Sequence, residues 1–128
     1  MKGFSLIELL IVMIILGLLA SLVGPRMFGK LGMAKQKTAQ AQIEMLMTAL
    51  DAYRLDMGSY PNDLDALVTN PGDNQWDGPY LAKSVPSDPW GEPYNYSNPG
   101  QYGEVDVFSY GKDKQSGGDG ENSDVTSW

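Results

Sequence analysis

The sequence predicts an α+β protein in which one long N-terminal α-helix packs against a small antiparallel β-sheet with long loops. Three observations predict this class. Residues 4–23 are almost entirely apolar, residues 33–57 show a one-sided apolar pattern, and the remainder is rich in turn residues around two short alternating segments. Helices and strands space their apolar residues differently. We therefore divide the chain into residues 1–3, a helical shaft over 4–57 and a headpiece over 58–128.

Composition narrows the possible chemistry. A chain of 128 residues has room for one small domain and an appendage. It has no cysteine and no histidine, which excludes disulfides, zinc fingers, iron–sulfur clusters and a Ser-His-Asp triad. The net charge of −7 hides an asymmetry, because residues 1–38 carry +4 and thus leave −11 for the rest. Such an acidic body disfavours nucleic acid as a partner and favours divalent cations.

The first half of the shaft has the properties of a membrane span. As a helix, residues 4–23 would be about 30 Å long, the thickness of a bilayer core. Lys2 lies before this segment and Arg26 and Lys30 lie after it. Positive charge at both ends leaves the orientation undecided. A secretory signal peptide is the alternative, but its apolar region is usually only about 7–15 residues long.

The second half of the shaft is predicted to be amphipathic. Because a proline removes a helix hydrogen bond, we expect a kink or a locally melted stretch at Gly24-Pro25 without an end to the helix. Gly58-Ser59, with Pro61 just beyond, is typical of a helix C-terminus. Between them, apolar side chains recur at the spacing of one helix face, which predicts a buried stripe: Ile43, Leu46, Met47, Leu50, Tyr53 and Met57.

The headpiece is predicted to contain short elements. Asn62 is placed to cap a short helix over residues 63–68. Residues 94–96 and 104–110 alternate in side-chain character on either side of the turn sequence at 98–100. This pattern predicts two antiparallel strands. We expect their apolar face to cover the amphipathic part of the shaft.

The sequence GFSLIE at residues 3–8 opens the apolar segment and resembles the start of the type IV pilin-like family, which includes pilins and secretion pseudopilins. The resemblance implies a pilin-like fold. It also implies cleavage after Gly3 by a membrane prepilin peptidase and N-methylation of the new terminus at Phe4. Residues 1–3 would then be the leader. This leader is shorter than is usual in the family, so either translation starts upstream or the sequence records a trimmed form.

Glu8 is the one acidic residue in the apolar segment. A carboxylate in an apolar environment costs several kcal/mol unless it is paired or reaches water. The resemblance implies that Glu8 pairs with the amine of Phe4 in an adjacent subunit and sets the axial stagger during assembly. The alternative is that Glu8 simply reaches the lipid headgroups.

Residues 87–94 read SDPWGEPY and resemble the DPWGxPY signature of the major pseudopilins of type II secretion. Two prolines and a glycine favour a rigid loop. Trp90 offers a large apolar anchor, and Asp88 can accept backbone hydrogen bonds in the turn. We therefore predict a structural role for residues 87–94, which we call the signature loop.

Residues 110–124, which we call the acidic loop, lie where major pseudopilins bind one calcium ion through carboxylates and main-chain carbonyls. Calcium takes about six to eight oxygen ligands, which suits a glycine-rich loop. Gln115 and Gly117 stand where an EF-hand needs acids, so the loop is not an EF-hand. A merely solvated acidic loop is the alternative. The resemblance implies a set of ligands in which Asp113 and Asp124 are the strongest candidates. The full set is Tyr110, Asp113, Ser116, Asp119, Asn122 and Asp124.

The resemblance implies a structural function. The chain would polymerise through its N-terminal helix into a periplasmic filament whose growth drives exported proteins across the outer membrane. It would be a single-pass inner-membrane protein before assembly, with a periplasmic headpiece. The implied partners are further copies of the chain, minor pseudopilins, the inner-membrane assembly platform, the prepilin peptidase and exported proteins.

Three other functions are weighed against this one. A major type IV pilin for adhesion or motility is disfavoured by the signature loop and by the absence of cysteine for a disulfide loop. A membrane-anchored, calcium-dependent sugar-binding module could use Trp76 and Trp90, but such scattered aromatic residues are more often core residues. An enzyme is disfavoured because no pair of acids has the spacing of an acid/base partnership.

Overall fold

The computed structural model describes residues 3–128, apart from the side chains of residues 25 and 28. One helix is followed by two single turns of 3-10 helix and a three-stranded antiparallel sheet. The predicted fold class is confirmed. The elements are α1 (Leu6–Met57), the 3-10 turns Leu64–Leu67 and Gly120–Asn122, and the strands β1 (Asn95–Ser97), β2 (Asp106–Ser109) and β3 (Val125–Thr126).

Helix α1 begins and ends close to the predicted bounds. Ser5 caps its start, where the Ser5 Oγ accepts a hydrogen bond from the backbone N–H of Glu8 at 3.3 Å. Gly58 ends it in the left-handed conformation, with φ of 86°. The backbone stays helical through Gly24-Pro25, so the melted stretch is not present in this structure. A proline removes only its own N–H from the helical ladder, and the turns on both sides remain helical.

The core lies between the second half of α1 and the headpiece. The predicted stripe is confirmed: Ile43, Leu46 and Leu50 are fully buried, and Leu55 on the other side of the helix is 87% exposed. Met47 and Met57 are partly buried against the same core. The helix residues pack with headpiece residues, chiefly Leu64, Leu67, Leu81, Tyr94, Val105, Val107 and Val125.

Strand β2 is the centre of the sheet. It pairs antiparallel with β1, where Tyr96 lies opposite Val107, and with β3, where Phe108 lies opposite Thr126. The two predicted strands are confirmed, and each observed end lies within two residues of its predicted position. Strand β3 was not predicted, because two residues carry no readable alternation. Its pairing places both ends of the acidic loop on neighbouring strands, which closes that segment into a true loop.

The short helix differs from the prediction. It is one 3-10 turn over Leu64–Leu67, and its N-cap is Asp63, whose Oδ1 accepts a hydrogen bond from the N–H of Ala66 at 3.2 Å. The assignment of Asn62 as the cap is therefore wrong by one residue. The carboxylate of Asp63 occupies the position from which a side chain reaches the third residue of the turn.

Two tyrosines connect the sheet region to the rest of the core. The Tyr94 hydroxyl donates to Oε1 of Gln42 on α1, and the Tyr96 hydroxyl donates to the carbonyl of Pro61 at 2.6 Å. Burial raises the pKa of Tyr94 and raises the pKa of Tyr96 to about 12. Both side chains therefore stay neutral donors at physiological pH.

We expect Leu50→Ala to lower the free energy of unfolding by about 2–5 kcal/mol, because it leaves a cavity in the shared core. Leu55→Ala makes the same change on the exposed side of α1 and should alter it by no more than about 0.5 kcal/mol. Urea denaturation of the two variants in detergent measures the difference. Equal losses would mean that the helix face containing Leu50 does not form the core.

Candidate functional site

The N-terminal half of α1 is an exposed apolar surface. The large apolar residues between Leu6 and Val23 are 50–76% exposed. Among the described residues, α1 is the one helix that is long and apolar enough to cross a membrane, and its most apolar window has a mean hydropathy of 2.9 and is 0% buried. An exposed patch of this size marks a surface for a membrane or for other proteins.

The predicted processing and assembly residues lie together at the tip of this surface. Residues 3–5 are not helical and precede the first turn of α1. The Gly3–Phe4 peptide bond therefore precedes the helix, and Phe4 is 82% exposed. Glu8 is exposed in the first turn, where a carboxylate is favoured by the helix dipole.

The predicted calcium ligands of the acidic loop differ in their exposure to solvent. Asp113, Ser116, Asp119 and Asn122 are exposed, and Tyr110 and Asp124 are partly buried. The structure brings Asp124 to the glycine pair in the middle of the loop, since its Oδ2 accepts from the N–H of Gly117 at 3.1 Å. Asp113 instead accepts locally from the N–H of Gln115 at 3.2 Å.

One carboxylate oxygen of Asp124 lacks the hydrogen bond that a buried oxygen normally makes. Its Oδ1 is buried and has no hydrogen-bond partner among the described residues. A buried carboxylate oxygen without a partner costs free energy, which a bound cation would recover. The described residues contain no group of three or more acidic side chains that could hold a metal ion on their own. A cation at Asp124 would therefore also need main-chain carbonyls, which is the ligand mixture that the family resemblance implies.

Close backbone approach explains two of the loop glycines. A Cβ on Gly118, where φ is +100°, would lie 2.7 Å from the carbonyl oxygen of Asn122. A Cβ on Gly111, where φ is +80°, would lie 2.7 Å from the carbonyl oxygen of Ser123. Only glycine fits at such positions. The two arms of the acidic loop are thus in contact, and the carbonyls of its second arm face the first.

The signature loop is built around a buried carboxylate. Asp88 is 6% exposed, and its Oδ1 accepts from the N–H groups of Trp90 and Glu92 at 3.1 and 2.8 Å. Its Oδ2 accepts from the Ser109 hydroxyl at 2.6 Å. The Ser109 oxygen in turn accepts from the N–H of Gly111 at 3.2 Å. The predicted turn bonding of Asp88 is confirmed, and it extends to the start of the acidic loop.

Two further contacts join these loops. The Trp90 Nε1 donates to Glu121 Oε1 at 3.2 Å. The Lys114 ammonium lies 2.8 Å from Glu92 Oε1, and this hydrogen bond raises the pKa of Lys114. The sequence did not indicate Ser109, Glu121 or Lys114 as functional, because each partner lies 21 or more residues away and no local pattern marks it.

The tryptophans considered for sugar binding are part of the core boundary. Trp76 packs edge-on against Tyr80, with ring centroids 5.7 Å apart, and its Nε1 donates to the carbonyl of Ala66 at 2.7 Å. Trp76 and Trp90 are both partly buried against the core. Their positions are those of structural residues, as the scattered spacing indicated.

An exposed apolar half-helix that continues into a small headpiece defines a pilin-like subunit. A family model described as type II secretion system protein G matches residues 26–128. A model of the prokaryotic N-terminal methylation motif matches residues 1–24. The chain therefore belongs to the type II secretion system protein G family.

Individual relatives agree with this assignment. The type II secretion system core protein G of Vibrio cholerae is 44% identical, over 98% of this chain and 90% of that protein. The corresponding protein of Pseudomonas aeruginosa is 40% identical, over 99% of this chain and 94% of that protein. The crystal structure of the major pseudopilin from the type 2 secretion system of enterohaemorrhagic Escherichia coli superimposes with a TM-score of 0.64 at 34% identity. It covers 78% of this chain and 87% of that one.

We expect Ser109→Ala to lower the free energy of unfolding by about 1–3 kcal/mol, because it leaves Asp88 Oδ2 and the N–H of Gly111 without their shared partner. Ser116→Ala changes an exposed serine of the acidic loop and should have little effect. Thermal unfolding in the presence of a chelator compares the variants without any contribution from metal ions. A loss for Ser116→Ala as large as that for Ser109→Ala would contradict the bracing role of Ser109.

Proposed function

We propose that this chain is the repeating structural subunit of the periplasmic pseudopilus of a type II secretion system, and that filament growth drives export of proteins across the outer membrane. The observation that carries the proposal is the exposed apolar half of α1 on a chain of the protein G family. The proposed role is structural and not catalytic. Its proposed partners are copies of the chain, minor pseudopilins, the assembly platform, the prepilin peptidase and exported proteins.

The exposed apolar surface of α1 would contact two different environments in succession. Apolar surface left in water costs about 25 cal/mol per Å², so residues 4–23 need an apolar neighbour at every stage. Before assembly the neighbour is the inner membrane, with the headpiece in the periplasm. After assembly it is the same segment of adjacent subunits. Transfer from lipid to a helix bundle changes little in apolar burial, so a specific polar contact must favour and orient assembly.

Glu8 is the residue proposed to make that contact. Cleavage after Gly3 would leave an N-methylated amine on Phe4, four residues before the Glu8 carboxylate. Within one subunit both charges lie at the same end of α1. In the filament, Glu8 of one subunit would neutralise the Phe4 amine of its neighbour in an apolar environment, where unpaired charges are costly.

We expect Glu8→Gln to be inserted and processed normally but to give at least tenfold fewer filaments, because breaking a buried ion pair costs about 3–5 kcal/mol. Glu44→Gln makes the same change at an exposed position on α1 and is the matched control. Electron microscopy of sheared filaments, together with an assay of secreted proteins, measures both consequences. Wild-type filaments and secretion in Glu8→Gln would refute the pairing, and loss of motility with intact secretion on deletion of the gene would favour a type IV pilin.

We also propose that the acidic loop binds one calcium ion. The unpartnered buried oxygen of Asp124 supports this site, as does the close approach of the carbonyl oxygens of Asn122 and Ser123 to Gly118 and Gly111 in the first arm. The residues that would hold the ion are the carboxylates of Asp113 and Asp124 and the carbonyls of Tyr110 and Ser116. Asp119 and Asn122 are further candidates in the second arm.

A bound ion would supply a cross-link that the sequence otherwise lacks. Small domains without disulfides commonly gain stability from a metal. Calcium would join the two arms of the acidic loop, which leave from β2 and return to β3. The signature loop would support the first arm through Ser109 and Lys114.

We expect full-length protein in detergent micelles to bind calcium with 1:1 stoichiometry in calorimetry. Asp113→Ala and Asp124→Ala should each abolish binding, because each removes a negatively charged ligand. At a calcium concentration about one hundred times the Kd, wild type should gain about 2.7 kcal/mol of stability. Asp65→Ala removes an exposed aspartate of the headpiece and should bind like wild type. Binding that survives both loop substitutions would reassign the site, and no binding by wild type would leave a solvated loop.

A further inference from the structure

The side chain of Gln36 connects α1 to the second arm of the acidic loop. Its Nε2 lies 3.2, 3.1 and 3.2 Å from the carbonyl oxygens of Gly120, Glu121 and Ser123. An amide carries two N–H donors, so three carbonyls share them. These main-chain groups come from a segment 84–87 residues away along the chain. One side chain thus holds a complete turn of the loop against the helix.

The preceding turn of α1 leaves space for the same arm of the acidic loop. Gly32 lies four residues before Gln36, on the same helix face. A Cβ on Gly32 would lie 3.0 Å from Glu121 Oε2 and 3.1 Å from its Cδ. The Glu121 side chain therefore rests on α1 where the helix has no side chain, and its other oxygen accepts the Trp90 indole N–H. Gly32 provides the space and Gln36 provides the hydrogen bonds.

This attachment lies next to the proposed ion site. Ser123, whose carbonyl is held by Gln36, directly precedes Asp124, whose Oδ1 is buried without a partner. Fixing the carbonyl of Ser123 restricts the backbone from which the Asp124 side chain extends. Groups that orient metal ligands without touching the metal commonly contribute tenfold to a hundredfold in affinity.

We propose that Gln36 is a positioning residue for the calcium site, so that ion binding and docking of the acidic loop on residues 32–36 of α1 stabilise each other. The inference rests on the proposed calcium site. By linkage, the factor by which docking tightens calcium binding equals the factor by which calcium favours docking. Residues 32–36 follow the apolar segment closely, so the ion would stiffen the junction between the membrane-spanning half of α1 and the headpiece.

Gln36→Glu gives a test in which positioning and simple charge predict opposite results. The substitution keeps the size of the side chain but faces three carbonyl oxygens with a carboxylate that has no donor. Positioning therefore predicts weaker calcium binding. An added negative charge near a cation site would by itself tighten binding. Gln40→Glu adds the same charge at an exposed position one turn further along α1 and measures that charge effect alone.

The experiment is calcium titration of full-length wild type, Gln36→Glu, Gln36→Met and Gln40→Glu in detergent micelles. Hydrogen exchange of residues 29–37 is followed with calcium and with chelator. We expect Gln36→Glu and Gln36→Met to raise the Kd at least tenfold, and Gln40→Glu to leave it unchanged or lower. Calcium should slow exchange over residues 29–37 in wild type and in Gln40→Glu, but not in the Gln36 variants.

The outcomes separate this inference from the calcium site itself. If wild type binds calcium and Gln36→Glu binds as tightly as Gln40→Glu, the positioning role of Gln36 is wrong and the calcium site stands. If wild type binds no calcium, both proposals fall. Gln36→Met removes the donors without adding charge, so it decides the matter if Gln36→Glu does not fold, as judged by its melting temperature in chelator.

Discussion

The buried face of α1 between Ala39 and Tyr53 is the contact on which the rest of the structure depends. The sheet contains nine residues in three strands, far too few to enclose a core. The helix therefore supplies one side of that core, with Ile43, Leu46 and Leu50 fully buried. Because this face belongs to a continuous 52-residue helix, folding of the headpiece also fixes the direction in which the apolar half projects.

The apolar half of α1 is left without a neighbour by the same arrangement. The headpiece covers α1 from about residue 32 onwards, through the contacts of Gly32 and Gln36 with the acidic loop. The large apolar side chains described before this point, from Phe4 to Leu31, are exposed and need lipid or other subunits. The proposed assembly would thus use the apolar surface that the fold of one chain does not bury, with Glu8 as the one acidic side chain of residues 4–23.

The signature loop and the acidic loop form one structural unit. Asp88 reaches the first arm of the acidic loop through Ser109, and Trp90 reaches the second arm through Glu121. Gln36 then joins the second arm to α1. An ion at Asp124 would lie within this framework, where small shifts of the carbonyls change its coordination. In this chain the signature loop therefore supports the acidic loop through these hydrogen bonds.

The sequence by itself determined the fold class, the bounds of α1, the buried stripe and the two longer strands, because each is a local pattern of apolar spacing, capping or turn residues. The methylation motif was indicated by resemblance, and a family model matches it over residues 1–24. The sequence did not reveal β3, the capping role of Asp63 or the contacts of Ser109, Glu121 and Gln36. Those features join residues that are far apart in the chain, or depend on which of two adjacent polar residues faces a backbone N–H. Only the tertiary structure decides them. Hydrogen bonds between residues far apart in the chain form where packing brings a donor to an acceptor, and the spacing of residues in the sequence does not show where that happens.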